Sequence, residues 1–249
     1  MLILLPPSET KRSGGSGRAL DLDGLVFPTL REPRALVLAA LEELSTDPAT
    51  AARVLKLSER QLDDIDDNAR VTTSPTMPAV DRYTGVLYDA LNAASLDSTA
   101  RKWLGRHVLI HSAPLGPVGA LDRLPMYRLA ASTSLPGIPP LRRVWATAVG
   151  DAFAAAAPRF VLDLRSEAYA ALGPVPPGVT SAYVRVVAAG PGGVVRALNH
   201  FNKHAKGALV RRLAVERPRI SSRAGFVKWA DAAGLRVRDG AEGELELFA

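Results

Sequence analysis

Three short apolar runs that end abruptly in polar segments constrain this chain more than any other feature. They are Met1–Leu5, Val108–Ile110 and Phe160–Leu164, the last apolar except for Asp163. Each is too short for a buried helix and lacks the alternation of a half-exposed strand, so each is expected to be a strand covered on both faces. The segments after these runs differ chemically. Met1–Leu5 leads into Pro6-Pro7-Ser8-Glu9-Thr10-Lys11-Arg12, and Phe160–Leu164 leads into Arg165-Ser166-Glu167-Ala168-Tyr169. Val108–Ile110 leads into a segment stiffened by Pro114, Pro117 and Pro125, expected to leave the sheet and to present Asp122, Arg123, Tyr127 and Arg128 from a loop. Polar clusters at neighbouring strand ends are a common way to assemble a site.

The intervening sequence reads mostly as short helices. Apolar residues recur at helical spacing over Pro33–Leu44, Ala49–Leu55, Glu59–Ala69 behind a Ser58 cap, a stretch starting near a Thr84 cap, Leu141–Ala157, Asn199–Arg212 and Phe226–Gly234. The Thr84 start would put Arg82 and Tyr83 at a helix amino terminus, where anions are favoured. Ser181–Ala188 alternates as a strand, Pro191-Gly192-Gly193 reads as a turn, Val194–Leu198 as the returning hairpin strand, and Glu244–Phe248 as an edge strand. The length of 249 residues and a 47% hydrophobic content suit one compact domain, 1–249, of mixed α/β (α+β) class, with a mixed sheet and flanking short helices. Met1–Leu5 has no basic segment before it and ends after five residues, so it is read as a strand, not a signal peptide or membrane anchor.

Charge and chemistry narrow the function. With no cysteine, the chain has no thiolate nucleophile and no cysteine-ligated metal, and it fits a reducing compartment such as the cytoplasm. The net charge of +6 is regional: Arg196–Arg238 holds eleven Lys/Arg against two acids, so the remainder is net acidic. Residues 42–81 carry nine acids and four basic residues, a poor surface for phosphates. The Gly/Ser segment 13–17 lacks P-loop spacing. His200 and His204 stand at i,i+4, but no Glu follows His200 as in the zincin motif and no third ligand is legible, so neither a metal nor any other cofactor is assigned. Lys203 and Lys206 share a helix side and suit an anion better than a core.

Five ordered segments resemble the signature stretches of the YaaA peroxide-stress family. They are Met1–Lys11 (MLILLPPSETK), Tyr83–Tyr88 (YTGVLY), Leu121–Leu129 (LDRLPMYRL), Val161–Tyr169 (VLDLRSEAY) and Phe201–Gly207 (FNKHAKG). The resemblance implies a YaaA-like single-domain α/β fold, a cytoplasmic location, a role in limiting iron-linked damage by hydrogen peroxide, and DNA binding through a positive cleft. It implies no known reaction.

Two functional readings are open, and a structural one stands beside them. In the first, Lys11, Arg82, Lys203, Lys206, Arg211 and Arg212 contact DNA phosphates. In the second, the chain is an enzyme acting on a nucleobase, nucleoside or related anionic, nucleotide-like small molecule, with glycosidic-bond or proton-transfer chemistry. There Glu9 or Asp163 is the base or charge stabiliser, Tyr127 and Ser166 are further catalytic candidates, and Ser8, Lys11, Arg82, Tyr83, Asp122, Arg123, Arg128, Lys203, Lys206 and Arg211 line the substrate or its phosphate. In the third, the same groups form a buried ion-pair network that fixes the fold. No membrane partner is expected, and a monomer is favoured. Both functional readings require the Pro-Pro-Ser-Glu corner, the Asp122-Arg123 turn and the lysine helix to meet around one hollow.

Overall fold

The computed structural model describes residues 1–189, 195–197 and 199–248. In chain order the strands are β1 (Leu2–Leu5), β2 (Met77–Pro78), β3 (Val108–Ser112), β4 (Gly116–Gly119), β5 (Arg123–Leu124), β6 (Val161–Asp163), β7 (Ser181–Ala189), β8 (Val195–Ala197), β9 (Val237–Asp239) and β10 (Glu244–Phe248). The helices are α1 (Arg31–Leu44), α2 (Pro48–Leu55), α3 (Asp63–Ala69), α4 (Ala79–Arg82), α5 (Val86–Leu91), α6 (Ser98–His107), α7 (Leu141–Ala156), α8 (Glu167–Leu172), α9 (Asn199–Glu216) and α10 (Arg223–Ala232).

The main sheet runs in the order β4-β3-β1-β6-β7-β10-β9, with β8 pairing to the far end of β7. β3, β1, β6, β7 and β10 are mutually parallel, and antiparallel β4 and β9 close the two edges. The apolar runs form its centre: Ile3, Leu4 and Leu5 of β1 are consecutive and all buried, so both faces of that strand are covered. From β1 the chain passes to β3 on one side and later to β6 on the other. The strand order therefore reverses at β1, and the crevice beyond the carboxyl ends of β1 and β6 is where such sheets hold ligands. α9 packs on α5, α6 and β7, while α7 packs on α8, α1 and β4.

Several sequence expectations change. Gly116–Gly119 returns to the sheet as β4 instead of leaving it, with Pro117 opposite His111. An edge strand tolerates this because one side of its backbone needs no partner. β10 is not the edge: it lies between β7 and β9, a strand the alternation does not reveal. The helix expected over Glu59–Ala69 splits into a single 3-10 turn at Glu59–Gln61, held by reciprocal Ser58–Gln61 capping, and α3. α6 and the short α4 have no counterpart among the expected helices. α5 is capped at Gly85, not Thr84, so Arg82 and Tyr83 are not at its first turn. The expected 191–193 turn lies outside the described residues, whereas the β7–β8 pairing is present.

Candidate functional site

A cavity of about 860 Å³ opens where the strand order reverses. Four of the five signature segments line it. Pro6–Thr10 come from the loop after β1, Thr84–Tyr88 from the start of α5, and Leu164 with Ser166–Tyr169 from the segment after β6. Asn202, Lys203 and Lys206 come from α9, and Tyr183–Val186 of β7 complete the wall.

Local hydrogen bonds explain why these segments meet. β1 cannot continue past Leu5 into Pro6-Pro7, and the Tyr88 hydroxyl on α5 donates to the Pro6 carbonyl at 2.8 Å, tying helix to corner. The Thr84 amide donates to Thr10 O at 3.1 Å, the Thr10 hydroxyl donates to Thr84 O at 3.3 Å, and the Ser8 and Thr10 hydroxyls lie 3.2 Å apart. Gly85, at φ +92°, is the pivot of this arrangement: a Cβ there would sit 3.2 Å from Thr10 Oγ1 in a backbone conformation that L side chains rarely adopt. Gly207 fixes the opposite wall. A Cβ at that position would collide with the Leu87 carbonyl, so only glycine lets α9 press onto α5 and bring Lys203 and Lys206 to the cavity.

Lys206 is the buried charge of the site. It is 4% exposed, its Nζ donates to the Arg165 carbonyl at a long 3.4 Å, and it lies 5.5 Å from the centre of the Tyr183 ring. Among the described residues no carboxylate comes within ion-pair distance of it. Burial lowers its pKa to about 8, only partly offset by the more distant Asp163. Lys203, one turn earlier, is exposed at the same cavity. Ser166 is the residue preceding α8, and its hydroxyl makes no capping bond. Asn202 Oδ1 is buried without a hydrogen-bond partner and belongs to the same wall.

Behind the cavity lies a buried cluster around Arg165, in which His111 Nε2 has no hydrogen-bond partner. Arg165 is fully buried and holds Asp163 through both carboxylate oxygens, Nε–Oδ1 at 2.9 Å and Nη2–Oδ2 at 2.6 Å. Its Nη1 donates to the Gly173 carbonyl and to His111 Nδ1, each at 2.8 Å. Since Arg can only donate, His111 Nδ1 must be the acceptor, and burial beside Arg165 keeps that ring neutral. Asp163 is thereby engaged as a buttress and is not among the cavity-lining residues, so it is not placed as the base.

Glu9 occupies the rim, with its side chain 75% exposed and Oε2 at 3.3 Å from Arg128 Nη2. Its carbonyl accepts from Lys11 Nζ at 3.3 Å. Lys11 is half-buried, 4.2 Å from the Tyr127 ring centre, and burial reinforced by the Arg128 charge lowers its pKa to about 7. Beneath it Tyr127 accepts from Ser112 at 3.0 Å and lies 2.7 Å from the Tyr83 hydroxyl. Burial holds both phenols protonated, and Tyr127 packs under Lys11 and is not among the cavity-lining residues.

The remaining candidates are elsewhere. Asp122 accepts from the Val26 and Gly119 amides at 2.9 and 2.8 Å, and Arg123 donates to Thr76 O at 3.0 Å. Arg82 is fully buried and donates to the Leu124 and Arg12 carbonyls. Arg211 donates to Leu91 O and Asn92 O, both at 2.9 Å. The mid-chain Asp-Arg turn thus lines a different cleft, so the expected three-way meeting is met only in part: the amino-terminal corner and the lysine helix share the hollow, with the β6 turn in place of Asp122 and Arg123. Sequence reasoning overlooks Tyr183, Arg185 and Asn202. Arg185 links Glu167 and Glu244 at 2.9 and 2.7 Å, and only the alternation of β7 hints that residues 183 and 185 share a face. His204 is exposed, and the side chain of His200 lies outside the described residues. No group of three or more metal-binding side chains occurs among the described residues, and none of their helices is long and apolar enough to cross a membrane.

Comparison with known proteins bears on this geometry. A family model described as "Peroxide stress protein YaaA" matches residues 1–239. A UPF0246 protein of Corynebacterium glutamicum is 42% identical over 243 residues, covering 96% of this chain and 95% of its own. UPF0246 proteins of Corynebacterium efficiens and Streptomyces coelicolor are 44% and 40% identical, covering 95% and 86% of this chain and 94% and 82% of their own.

Proposed function

The chain belongs to the YaaA peroxide-stress family, and from that premise we propose that it works on a compact anionic molecule of nucleotide or nucleoside type, bound in the cavity beyond β1 and β6. The observation that carries this is convergence. Ser8, Glu9, Ser166, Lys203 and Lys206 come from three distant segments and line one cavity, and the innermost cation, Lys206, has a single long hydrogen bond to show for its desolvation. A buried ammonium without a close counter-charge is costly, and an anionic ligand offsets that cost. Lys203 and the Ser166 hydroxyl hold the anionic part. Lys206 changes charge near neutral pH and so can give or take a proton within the cavity, while Glu9 acts from the rim. In this reading the cytoplasmic role in peroxide stress, including limitation of iron-linked damage, is exercised through that molecule.

DNA binding is the second reading. Exposed Arg217, Arg219 and Lys228 in the basic carboxy-terminal stretch favour it, whereas Arg82, Lys206 and Arg211 have their charges buried or bonded to carbonyls. Calorimetry with a nucleoside monophosphate series and with duplex DNA separates the two. The first reading expects saturable binding of a monophosphate that is lost in Lys203→Ala and Lys206→Met chains, with DNA affinity weak at physiological salt. Tight DNA binding that falls steeply with salt, together with no small-anion binding, would replace it with the second.

A further inference from the structure

We infer that Lys206 is a carbonyl-trapping amine, forming an imine with an aldehyde or ketone that also carries a phosphate or carboxylate group. The inference rests on the cavity reading above and narrows its ligand to one with a free aldehyde or ketone, such as the ring-opened sugar phosphate that a nucleotide leaves once its glycosidic bond is cleaved. Its geometry is that of an amine held for attack. The stem of Lys206 is buried, its Nζ meets one carbonyl oxygen at 3.4 Å, and no carboxylate among the described residues stands within ion-pair distance to hold it as an ammonium. Asp163 is the carboxylate whose charge acts on it, and Arg165 occupies both its oxygens. Tyr183 turns a ring face toward the amine, and Leu164, Val184 and Val186 belong to the same cavity. Such surroundings keep a neutral amine accessible. The lowering to about 8 agrees, leaving roughly a tenth of the side chain neutral at pH 7. Lys203, one helical turn away and exposed, is a separate cation for the anionic end of the same molecule.

The chemistry balances without an oxidant or reductant. The Nζ lone pair attacks the carbonyl carbon, a C–N bond forms, and the carbonyl π electrons move to oxygen, which takes up a proton. The resulting carbinolamine loses that oxygen as water as the nitrogen lone pair closes the C=N bond. Both hydrogens of the amine are released in the process. Ser166, whose hydroxyl makes no capping bond, lines the cavity and can relay a proton to the departing oxygen.

The test treats the intact chain with one equivalent of pyridoxal 5′-phosphate, reduces it with borohydride, and maps the modified lysine by peptide mass spectrometry among the six lysines in the sequence. Lys206 should be modified at least tenfold faster than exposed Lys56, Lys102, Lys203 and Lys228. Pyridoxal without its phosphate should react at least tenfold more slowly at Lys206. Lys206→Arg and Lys206→Met chains that retain the wild-type unfolding transition should lose that product. Modification of Lys206 no faster than of the exposed lysines would overturn the imine, and equal rates for the two aldehydes would overturn the anionic requirement. A chain that binds monophosphates yet leaves Lys206 unmodified would sink the imine alone. One that modifies Lys206 faster with the phosphorylated aldehyde but binds no nucleoside monophosphate would support the imine and remove the nucleotide reading.

Discussion

Arg165 and Lys206 are two buried cations, linked where Lys206 donates to the Arg165 main-chain carbonyl, yet they are held in opposite ways. Arg165 spends its guanidinium on both oxygens of Asp163, on Gly173 O and on His111 Nδ1. Lys206 has a single donor contact at 3.4 Å, made to the main chain of Arg165 itself. A buried charge whose bonds are all made stabilises the structure around it, and removing it strands its partners. A buried charge left short of partners is maintained against stability, which is what a binding or reacting group requires. The difference teaches that burial of charge does not by itself mark function, and that a buried charge left short of bonds is the one to test for it.

The largest test of that contrast is a pair of substitutions. Arg165→Met leaves Asp163 buried and unpaired and should cost about 3–5 kcal/mol of unfolding free energy, whereas Lys206→Met should raise stability at pH 7 while abolishing ligand binding. Denaturant unfolding of both chains checks this, and equal losses would erase the distinction. Next, Gly207→Ala drives a methyl group into the Leu87 carbonyl. It should cost about 2–3 kcal/mol and weaken ligand binding, because α9 must lift away from α5.

A smaller effect lies in pH. The folded pKa of Lys206, about 8, is below the ordinary lysine value of 10.5, so the unfolded chain binds that proton more tightly. Its penalty is fully present below pH 8 and is relieved as pH rises from 8 toward 10.5. Lys11 acts with the same sign from about pH 7. The stability difference between wild type and Lys206→Met should therefore shrink, by on the order of 1–2 kcal/mol, between pH 8 and pH 10, as read from urea midpoints. A difference that stays constant would mean the amine is solvated. The smallest effect belongs to the exposed i,i+4 pair of Arg212 and Glu216, 2.7 Å apart. Arg212→Ala should change stability by less than about 0.5 kcal/mol and leave small-anion binding untouched.

The sequence is most legible where hydrophobicity decides the structure. Met1–Leu5, Val108–Ile110 and Phe160–Leu164 supply the centre of the sheet, because a run apolar at nearly every position and too short for a buried helix fits a strand covered on both faces. It is least legible at edges and contacts. Pro117 looks like a sheet breaker and is instead an edge-strand residue, while β10 looks like an edge and is covered by β9, because pairing depends on partners far along the chain. The site divides in the same manner. The Pro-Pro-Ser-Glu corner, Ser166 and the two lysines of α9 are identifiable as polar groups at strand ends and on one helix side, and they do converge. Asp163 reads as a base from sequence, since nothing in the spacing shows that Arg165, two residues on, turns back to take both its oxygens. Gly85 and Gly207 carry the cavity's shape, and their necessity is visible only once Thr10 and Leu87 stand against them.

The most direct measurement tracks the side-chain resonances of the six lysines through a pH titration, with Lys206 assigned from the Lys206→Met chain. The account predicts that Lys206 titrates near 8 and that its midpoint rises when a nucleoside monophosphate occupies the cavity, as an approaching anion must make the ammonium easier to keep. A midpoint at the ordinary lysine value, indifferent to added anion, would contradict it.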